Sequence, residues 1–261
     1  MTTWQQDPFF QYPMTKFQCS EGEVDLPILY FDNSNMIPMF WVDHDKARAM
    51  LEPHALNAVR FAGGRALVAM GFYEYRHTAI GSYNEVGVAI AATPRGTPQP
   101  GFPLLSLFGS MDKPHVGFHV VDLPVTTAVA CSAGREIWGF PKFVTQIDFS
   151  LKGPDFAGTV VDPQSKTPMV TLAGRVGLGI PGPLLDLVLY STHDGKLLRT
   201  QVNTRGGARI CLPGSIQLKV SDSDHPMAQR LRALGLQQAR PAFVSHTHKL
   251  QLRLNAGAAI A

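Results

Sequence analysis

Glycines and prolines interrupt this sequence at short intervals, and they limit the chain to short elements joined by many turns. There are 24 glycines and 20 prolines among 261 residues. The segments between them are rich in valine, isoleucine, leucine, threonine and phenylalanine, which favour strands. Since glycine and proline favour the turns that join strands, the pattern predicts a protein built mainly of β-structure.

Eight segments have the composition of strands. They are residues 66–75, 87–92, 116–121, 128–131, 142–150, 168–175, 209–220 and 249–254. The last one alternates clearly, with Leu250, Leu252 and Leu254 on one face and Gln251 and Arg253 on the other. This period of two is typical of a strand with one buried face.

Two segments carry the signals of helices. Residues 45–51 follow Asp43, whose side chain is a suitable N-cap. A second helix follows Asp224, with Pro226 in its first turn and Gly235 just past its end. Helices are therefore expected to be few.

Length and composition predict one domain. With 45% hydrophobic residues the chain can bury one large core, and no linker or repeat divides it. We expect residues 1–261 to form a single α+β domain. Its antiparallel sheet is expected to be closed or barrel-like, with a few flanking helices.

The bulk properties also exclude several classes of function. The net charge is only +3 and the basic residues are scattered, which does not indicate nucleic-acid binding. No run of 18 apolar residues predicts a membrane span, and the start of the sequence does not resemble a signal peptide. The three cysteines form no Cys-x-x-Cys pair. Together these features predict a cytoplasmic protein with free thiols.

The most informative segment is residues 134–144, Gly-Arg-Glu-Ile-Trp-Gly-Phe-Pro-Lys-Phe-Val, which surrounds Lys142 with apolar residues. Burial disfavours the charged ammonium form of a lysine. A neutral amine can add to a ketone and form a Schiff base, whose iminium draws electrons from a neighbouring bond. The alternative is a lysine whose stem lies on apolar surface while its ammonium group reaches water.

Residues 135–142, Arg-Glu-Ile-Trp-Gly-Phe-Pro-Lys, resemble the Schiff-base lysine segment of the acetoacetate decarboxylase family. Acetoacetate decarboxylase is a known example of an enzyme with an activated lysine. The resemblance implies that Lys142 is the nucleophile and that Phe140 lines a hydrophobic pocket. Trp138 and Phe143 are further candidates for that pocket.

Other matches follow in the same order along the chain. Residues 81–87, Gly-Ser-Tyr-Asn-Glu-Val-Gly, are similar to the family's Gly-x-Tyr-x-Glu segment, which makes Glu85 the implied acidic group. Its implied work is to hold the substrate and to move protons. Taken alone, a glutamate next to a turn is as readily explained by simple exposure to water. Residues 45–53 and 223–228 resemble further parts of the family.

The sequence also departs from the family pattern. Phe143 stands where the acetoacetate enzymes have a second lysine, and no arginine precedes residue 47. A second family glutamate falls near Met70 in an ungapped comparison, and Glu74 is a weak substitute on the same strand face. Arg135 either forms a local ion pair with Glu136 or binds a carboxylate.

The resemblance implies decarboxylation of a small-molecule β-keto acid, acetoacetate or a bulkier analogue, without metal or organic cofactor. His246 and His248 share a strand face, but no third metal ligand is evident. A second hypothesis is a Schiff-base aldolase or dehydratase acting on pyruvate-like keto acids. A third is a non-catalytic small-molecule binding protein of the same fold. The family commonly forms homo-oligomers, and the low charged content of 16% agrees with buried subunit faces.

Overall fold

The computed structural model describes residues 4–106 and 116–260. Within these ranges the chain forms sixteen strands, labelled in chain order. They are β1 Thr15–Cys19, β2 Gly22–Leu26, β3 Ile28–Asp43, β4 Leu56–Ala58, β5 Arg65–Thr78, β6 Tyr83–Pro94, β7 Gly117–Asp122, β8 Ile147–Lys152, β9 Asp155–Val161, β10 Pro168–Arg175, β11 Gly179–Pro183, β12 Leu187–His193, β13 Lys196–Arg205, β14 Gly207–Cys211, β15 Gln217–Val220 and β16 Phe243–Ile260.

Helices are short and few in the described part of the chain. The α-helices are α1 His44–Leu51, α2 Pro103–Ser106, α3 Ala128–Trp138 and α4 Pro226–Ala233. Single 3₁₀ turns occupy Trp4–Gln6, Glu52–His54 and Ala62–Gly64. Among the described residues, none of these helices has the length and apolar content needed to cross a membrane.

Seven strands close a barrel, which confirms the predicted α+β fold with a closed sheet. Their order is β16-β13-β12-β7-β6-β5-β3, and β3 pairs back with β16. The pair β7–β12 is parallel, whereas the other pairs in the ring are antiparallel. Strands β14 and β11 extend the sheet beyond β16, and β4 pairs with the C-terminal end of β6.

The main core lies outside the barrel. Side chains that point outward from β5 and β6, among them Met70, Phe72, Val86 and Val88, are completely buried. They pack against a second sheet of order β15-β10-β9-β8 and against helices α1 and α4. Because successive side chains of a strand point to opposite faces, the alternate residues of β5 and β6 face the barrel interior.

Both predicted helices are present with the expected ends. The Asp43 side chain accepts hydrogen bonds from the backbone N–H groups of Asp45 and Lys46, at 2.9 and 3.0 Å, and so caps α1. Helix α4 begins at Pro226 and is followed by Gly235, whose φ is +80°. These signals act within one turn of helix, so the local sequence is enough to predict them.

Three strand predictions need correction. Residues 128–131 begin helix α3 instead, where Thr127 is the N-cap and successive turns bury Ala130, Gly134 and Ile137 on one face. Residues 142–146 form an extended loop, and the strand begins only at Ile147. The predicted strand at 209–220 is divided into β14 and β15 by a turn at Pro213–Gly214. The long strand β3 had no counterpart among the predicted segments.

Candidate active site

The end of helix α3 sets the position of Lys142. Gly139 follows the helix with φ of +64°, and the N–H groups of Gly139 and Phe140 bond to the carbonyls of Arg135 and Gly134, at 3.1 and 3.0 Å. This left-handed closure turns the chain sharply. A Cβ at Gly139 would also lie 2.3 Å from the carbonyl oxygen of Thr192, so glycine is required here on two grounds.

Helix α3 also supports the lysine stem. A Cβ built on Gly134 would lie 2.3 Å from Cε and 2.4 Å from Cδ of Lys142. The methylenes of the lysine therefore cross the helix where it has no side chain. This close approach directs the ammonium group into the barrel instead of outward to water.

Glu85 meets Lys142 inside the barrel. Lys142 Nζ donates a hydrogen bond of 2.6 Å to Glu85 Oε2, and both side chains are at most 10% exposed. Glu85 lies on β6, where the segment around Val125 bridges it to the loop that carries the lysine. The backbone bonds from Val125 N–H to the Phe143 carbonyl (3.0 Å) and from Thr145 N–H to the Val125 carbonyl (2.9 Å) fix that loop. The buried pair thus rests on continuous backbone hydrogen bonding.

A group of tyrosines surrounds the pair, of which Tyr30, Tyr75 and Tyr83 are buried and Tyr73 is partly buried. The Tyr75 hydroxyl donates to Glu85 Oε1 at 3.2 Å, and the hydroxyls of Tyr30 and Tyr83 are 2.9 Å apart. Lys142 Nζ lies 5.9 Å from the centre of the Tyr83 ring, in cation–π range. Tyr73 stands directly opposite Glu85 in the β5–β6 ladder.

These tyrosines remain protonated. Burial raises the pKa of Tyr75 and Tyr83 well above the usual value, and the Glu85 carboxylate raises both further. The pKa of Tyr30 and of Tyr73 is raised for the same two reasons. Each hydroxyl can therefore donate a hydrogen bond, while Glu85 is the adjacent acidic group.

A cavity of about 500 Å³ opens from the pair through the barrel interior. Residues from all seven barrel strands line it, and most are apolar. Its polar lining beyond the tyrosines and the ion pair consists of Asn35, Thr204 and Ser245. No arginine is among the described residues that line it. A pocket of this size and character is suited to a mainly apolar small molecule.

The structure brings together three of the residues singled out from the sequence. Lys142 and Glu85 form the ion pair, and Phe140 lines the cavity beside them. Trp138 lies behind Phe140, with the rings stacked at 5.8 Å and the indole N–H bonded to the Asn255 carbonyl at 3.0 Å. Trp138 therefore supports the wall and does not line the cavity.

Other candidates lie elsewhere, so their assignment to the pocket is wrong. Met70 points outward into the core, because the inward positions of β5 are the odd-numbered ones beside it. Glu74 shares that outward face and pairs with Arg76 at 2.8 Å. Phe143 also points away, and its ring centre lies 4.6 Å from that of His225, the N-cap residue of α4.

Arg135 is exposed on helix α3 and does not line the cavity. Its proposed ion pair with Glu136 is also wrong, because the Glu136 carboxylate accepts hydrogen bonds from the backbone N–H and the hydroxyl of Ser20 instead, at 3.0 and 2.5 Å. The contact joins α3 to the turn between β1 and β2. Glu136 therefore has a structural partner and Arg135 faces solvent.

Sequence reasoning missed the tyrosines and Gly134. A signal for Tyr73, Tyr75 and Tyr83 did exist, because period-two counting through the β5–β6 hairpin puts them on the same face of the sheet as Glu85. Gly134 carried no such signal, because its contact with Lys142 depends on how α3 packs.

Comparison with known proteins identifies the family of this chain. The family model described as acetoacetate decarboxylase (ADC) matches residues 13–226. The chain belongs to the acetoacetate decarboxylase family. A comparison with curated proteins found no match.

Solved structures share the fold at low identity. The acetoacetate decarboxylase of Legionella pneumophila is 16% identical, with a TM-score of 0.65 over 98% of this chain and 93% of that one. The enduracididine biosynthesis enzyme MppR, complexed with pyruvate, is 16% identical, with a TM-score of 0.62 over 90% and 91%. An acetoacetate decarboxylase-like enzyme from Sphingomonas wittichii is 13% identical, with a TM-score of 0.61 over 91% and 94%.

Proposed function

We propose that this protein decarboxylates a β-keto acid through a Schiff base on Lys142. The observation that carries the proposal is the buried Lys142–Glu85 pair, 2.6 Å apart, at an apolar cavity. Membership of the acetoacetate decarboxylase family supports the same chemistry. No metal or organic cofactor enters the proposed steps.

Glu85 is the proposed proton acceptor for the first step. When it takes a proton from the lysine, the neutral Nζ attacks the ketone carbon and a carbinolamine forms. Return of that proton to the carbinolamine oxygen releases water and leaves a protonated imine. The Tyr75 hydroxyl, bonded to the other carboxylate oxygen, holds Glu85 in place through this exchange.

The imine then acts as the electron sink. The bond between the α-carbon and the carboxylate breaks, carbon dioxide leaves, and the electron pair moves to form an enamine. The apolar lining favours loss of the charged carboxylate, since that charge is poorly solvated in the cavity. Protonation of the enamine carbon and hydrolysis of the imine release the ketone and restore Lys142.

Borohydride trapping tests the proposal. The protein is incubated with acetoacetate, a longer 3-oxo acid or pyruvate, reduced with borohydride and analysed by mass spectrometry, while carbon dioxide release is measured in parallel. We expect a covalent adduct on Lys142 and release of carbon dioxide from the 3-oxo acids. Lys142→Ala should lose both, with at least a thousandfold fall in rate.

Lys219→Ala is the matched control, because Lys219 is exposed on β15. It should keep the adduct and the rate. Carbon dioxide release that persists in folded Lys142→Ala would refute the mechanism. Absence of both adduct and carbon dioxide for every acid would refute the decarboxylase.

A second candidate is aldol condensation and dehydration of a pyruvate-like acid through the same lysine. Two observations favour testing it: the fold is shared with MppR, solved with pyruvate, and Phe143 replaces a second lysine. It predicts a Lys142 adduct with pyruvate and a condensation product when an aldehyde is added. Trapping with 3-oxo acids alone would reject it.

A further inference from the structure

The cavity extends well beyond the ion pair. At about 500 Å³ it has the size of pockets that enclose drug-sized ligands, and a four-carbon acid would occupy only a small part of it. The tyrosine group lies at one end of the β5–β6 wall, next to Glu85. The open space therefore continues along these strands in the other direction.

The β5–β6 ladder shows how this space is made. Moving away from the Tyr73–Glu85 pair, the next inward pair is Gly71–Gly87, and the one after it is Ala69–Ala89. At about 3.3 Å per residue, Ala89 lies roughly 13 Å along the strand from Glu85. The Tyr73 ring lies over Gly71, where a Cβ would be 2.5 Å from Tyr73 Cε2, and Leu123 lies over Gly87 at 3.2 Å. Beyond these two side chains the wall carries only the methyl groups of Ala69 and Ala89.

Bulkier apolar side chains enclose the far part of the cavity. Strand β3 contributes Ile37 and Met39, and β5 contributes Leu67 beyond Ala69. Phe118 on β7 and Leu189 on β12, which pair across the parallel ladder, complete this end. These side chains offer no partner for a charged group, although Ser245, which pairs with Ile37, adds a hydroxyl beside them.

We infer that the substrate is a 3-oxo acid with an extended apolar tail, which passes Tyr73 and lies along Ala69 and Ala89 while its ketone faces Lys142. The inference rests on the proposed function, since the ketone and carboxylate must lie at the Lys142–Glu85 pair. The tail begins on the far side of the ketone from the carboxylate. Loss of carbon dioxide then replaces the carboxylate by a proton and yields a methyl ketone with the tail unchanged.

A chain-length series tests the assignment. Carbon dioxide release is measured for acetoacetate, 3-oxohexanoate and 3-oxodecanoate with the unaltered protein. We expect kcat/KM for 3-oxodecanoate to exceed that for acetoacetate at least a hundredfold, since burial of each methylene favours binding by about fourfold. Ala89→Leu should reduce this preference at least tenfold, because its side chain occupies the path of the tail.

Ala157→Leu is the matched control, because Ala157 is exposed on β9 in the other sheet. It makes the same chemical change and should leave the preference unaltered. Equal kcat/KM along the series, or equal preferences in the two variants, would overturn the inference even while Lys142 forms adducts.

Binding of methyl ketones separates failure of the inference from failure of the reaction. Calorimetry with 2-pentanone, 2-heptanone and 2-nonanone measures occupancy of the cavity without turnover. Affinity that rises with length and falls in Ala89→Leu is expected. The same result without any Lys142 adduct or carbon dioxide would overturn both the decarboxylase and its substrate, and would establish a binding protein. An affinity that does not change with chain length would overturn only the inference that the substrate has an extended apolar tail.

Discussion

The two faces of β5 and β6 have opposite characters although they alternate residue by residue. Outward, Met70, Phe72 and Val88 are fully buried in a close-packed core between the barrel and the second sheet. Inward, Ala69 and Ala89 border the cavity. The comparison indicates that the outer face carries the largest packed core, whereas the inner face holds the buried ion pair and borders the cavity.

A matched pair of methionines gives the largest expected difference between the faces. Met70→Ala leaves a new hole in the outer core and should lower the free energy of unfolding by about 3 kcal/mol. Met39→Ala only enlarges the inner cavity and should lower the free energy of unfolding by about 1 kcal/mol or less. Chemical denaturation of both variants measures this difference. Equal losses would mean that the inner wall is as essential to stability as the outer core.

A second matched pair uses two glutamates of opposite faces. Glu85→Gln removes the inner proton acceptor at constant size and should lower kcat about a hundredfold, or about 2.7 kcal/mol in activation free energy. Glu74→Gln changes the outer face of the neighbouring strand and should leave kcat within about twofold. The pH profile of kcat gives an independent check, since Glu85→Gln should also alter its shape. Similar kcat values for the two variants would contradict the assigned role.

The free energy of unfolding should depend on pH through His119, a buried histidine on the outer face of β7. His119 is buried against the Tyr190 carbonyl and the His54 ring, and burial together with His54 lowers its pKa to about 3. The unfolded chain protonates this histidine below about pH 6.5, whereas the folded chain does not. The stabilising contribution is therefore complete above pH 6.5 and is lost as the pH falls towards 3.

We expect His119 to account for about 2 kcal/mol of lost stability at pH 5 relative to pH 7.5. His119→Gln should flatten the pH dependence of the free energy of unfolding by that amount. His77→Gln, at an exposed position, should leave it unchanged. Denaturation curves at both pH values measure this change. If the free energy of unfolding falls equally with pH in the two variants, His119 is not the source.

Gly134→Ala should give the smallest effect. The added methyl group meets the Lys142 stem at 2.3 Å and forces the amine to shift. We expect about a tenfold slower rate of imine trapping, or about 1.4 kcal/mol. Gly207→Ala is the control, because its Cβ would meet nothing within 4 Å. An unchanged trapping rate in Gly134→Ala would show that the stem has room to adjust.

The features predicted correctly depend on local chemistry or on the family segments. Asp43 and Gly235 mark helix ends because their effects act within one turn. Lys142, Phe140 and Glu85 were found from the segments that resemble the family, and the structure places all three at the cavity. Their catalytic roles remain predictions that the substitutions above address.

The features missed depend on tertiary packing. The start of helix α3 was assigned to a strand because Val129 and Ala130 fit either structure, and the Thr127 N-cap and packing of the helix together select the helix. Met70 was placed in the pocket by an ungapped comparison. A one-residue difference in register exchanges the two faces of a strand, so such a comparison cannot select the face.

The pairing of β16 with β3 determines when the cavity comes into existence. Gln251 Nε2 bonds to the Phe31 carbonyl at 3.0 Å, although the two residues are 220 positions apart along the chain. Contacts of such long range slow folding, because a large loop must close before they form. During synthesis, the edge of β3 that pairs with β16 stays unpaired until β16, the last barrel strand in the chain, has been made. Until then the apolar inner wall lies open to water on one side, so the cavity forms as an enclosed space only when the last barrel strand is in place.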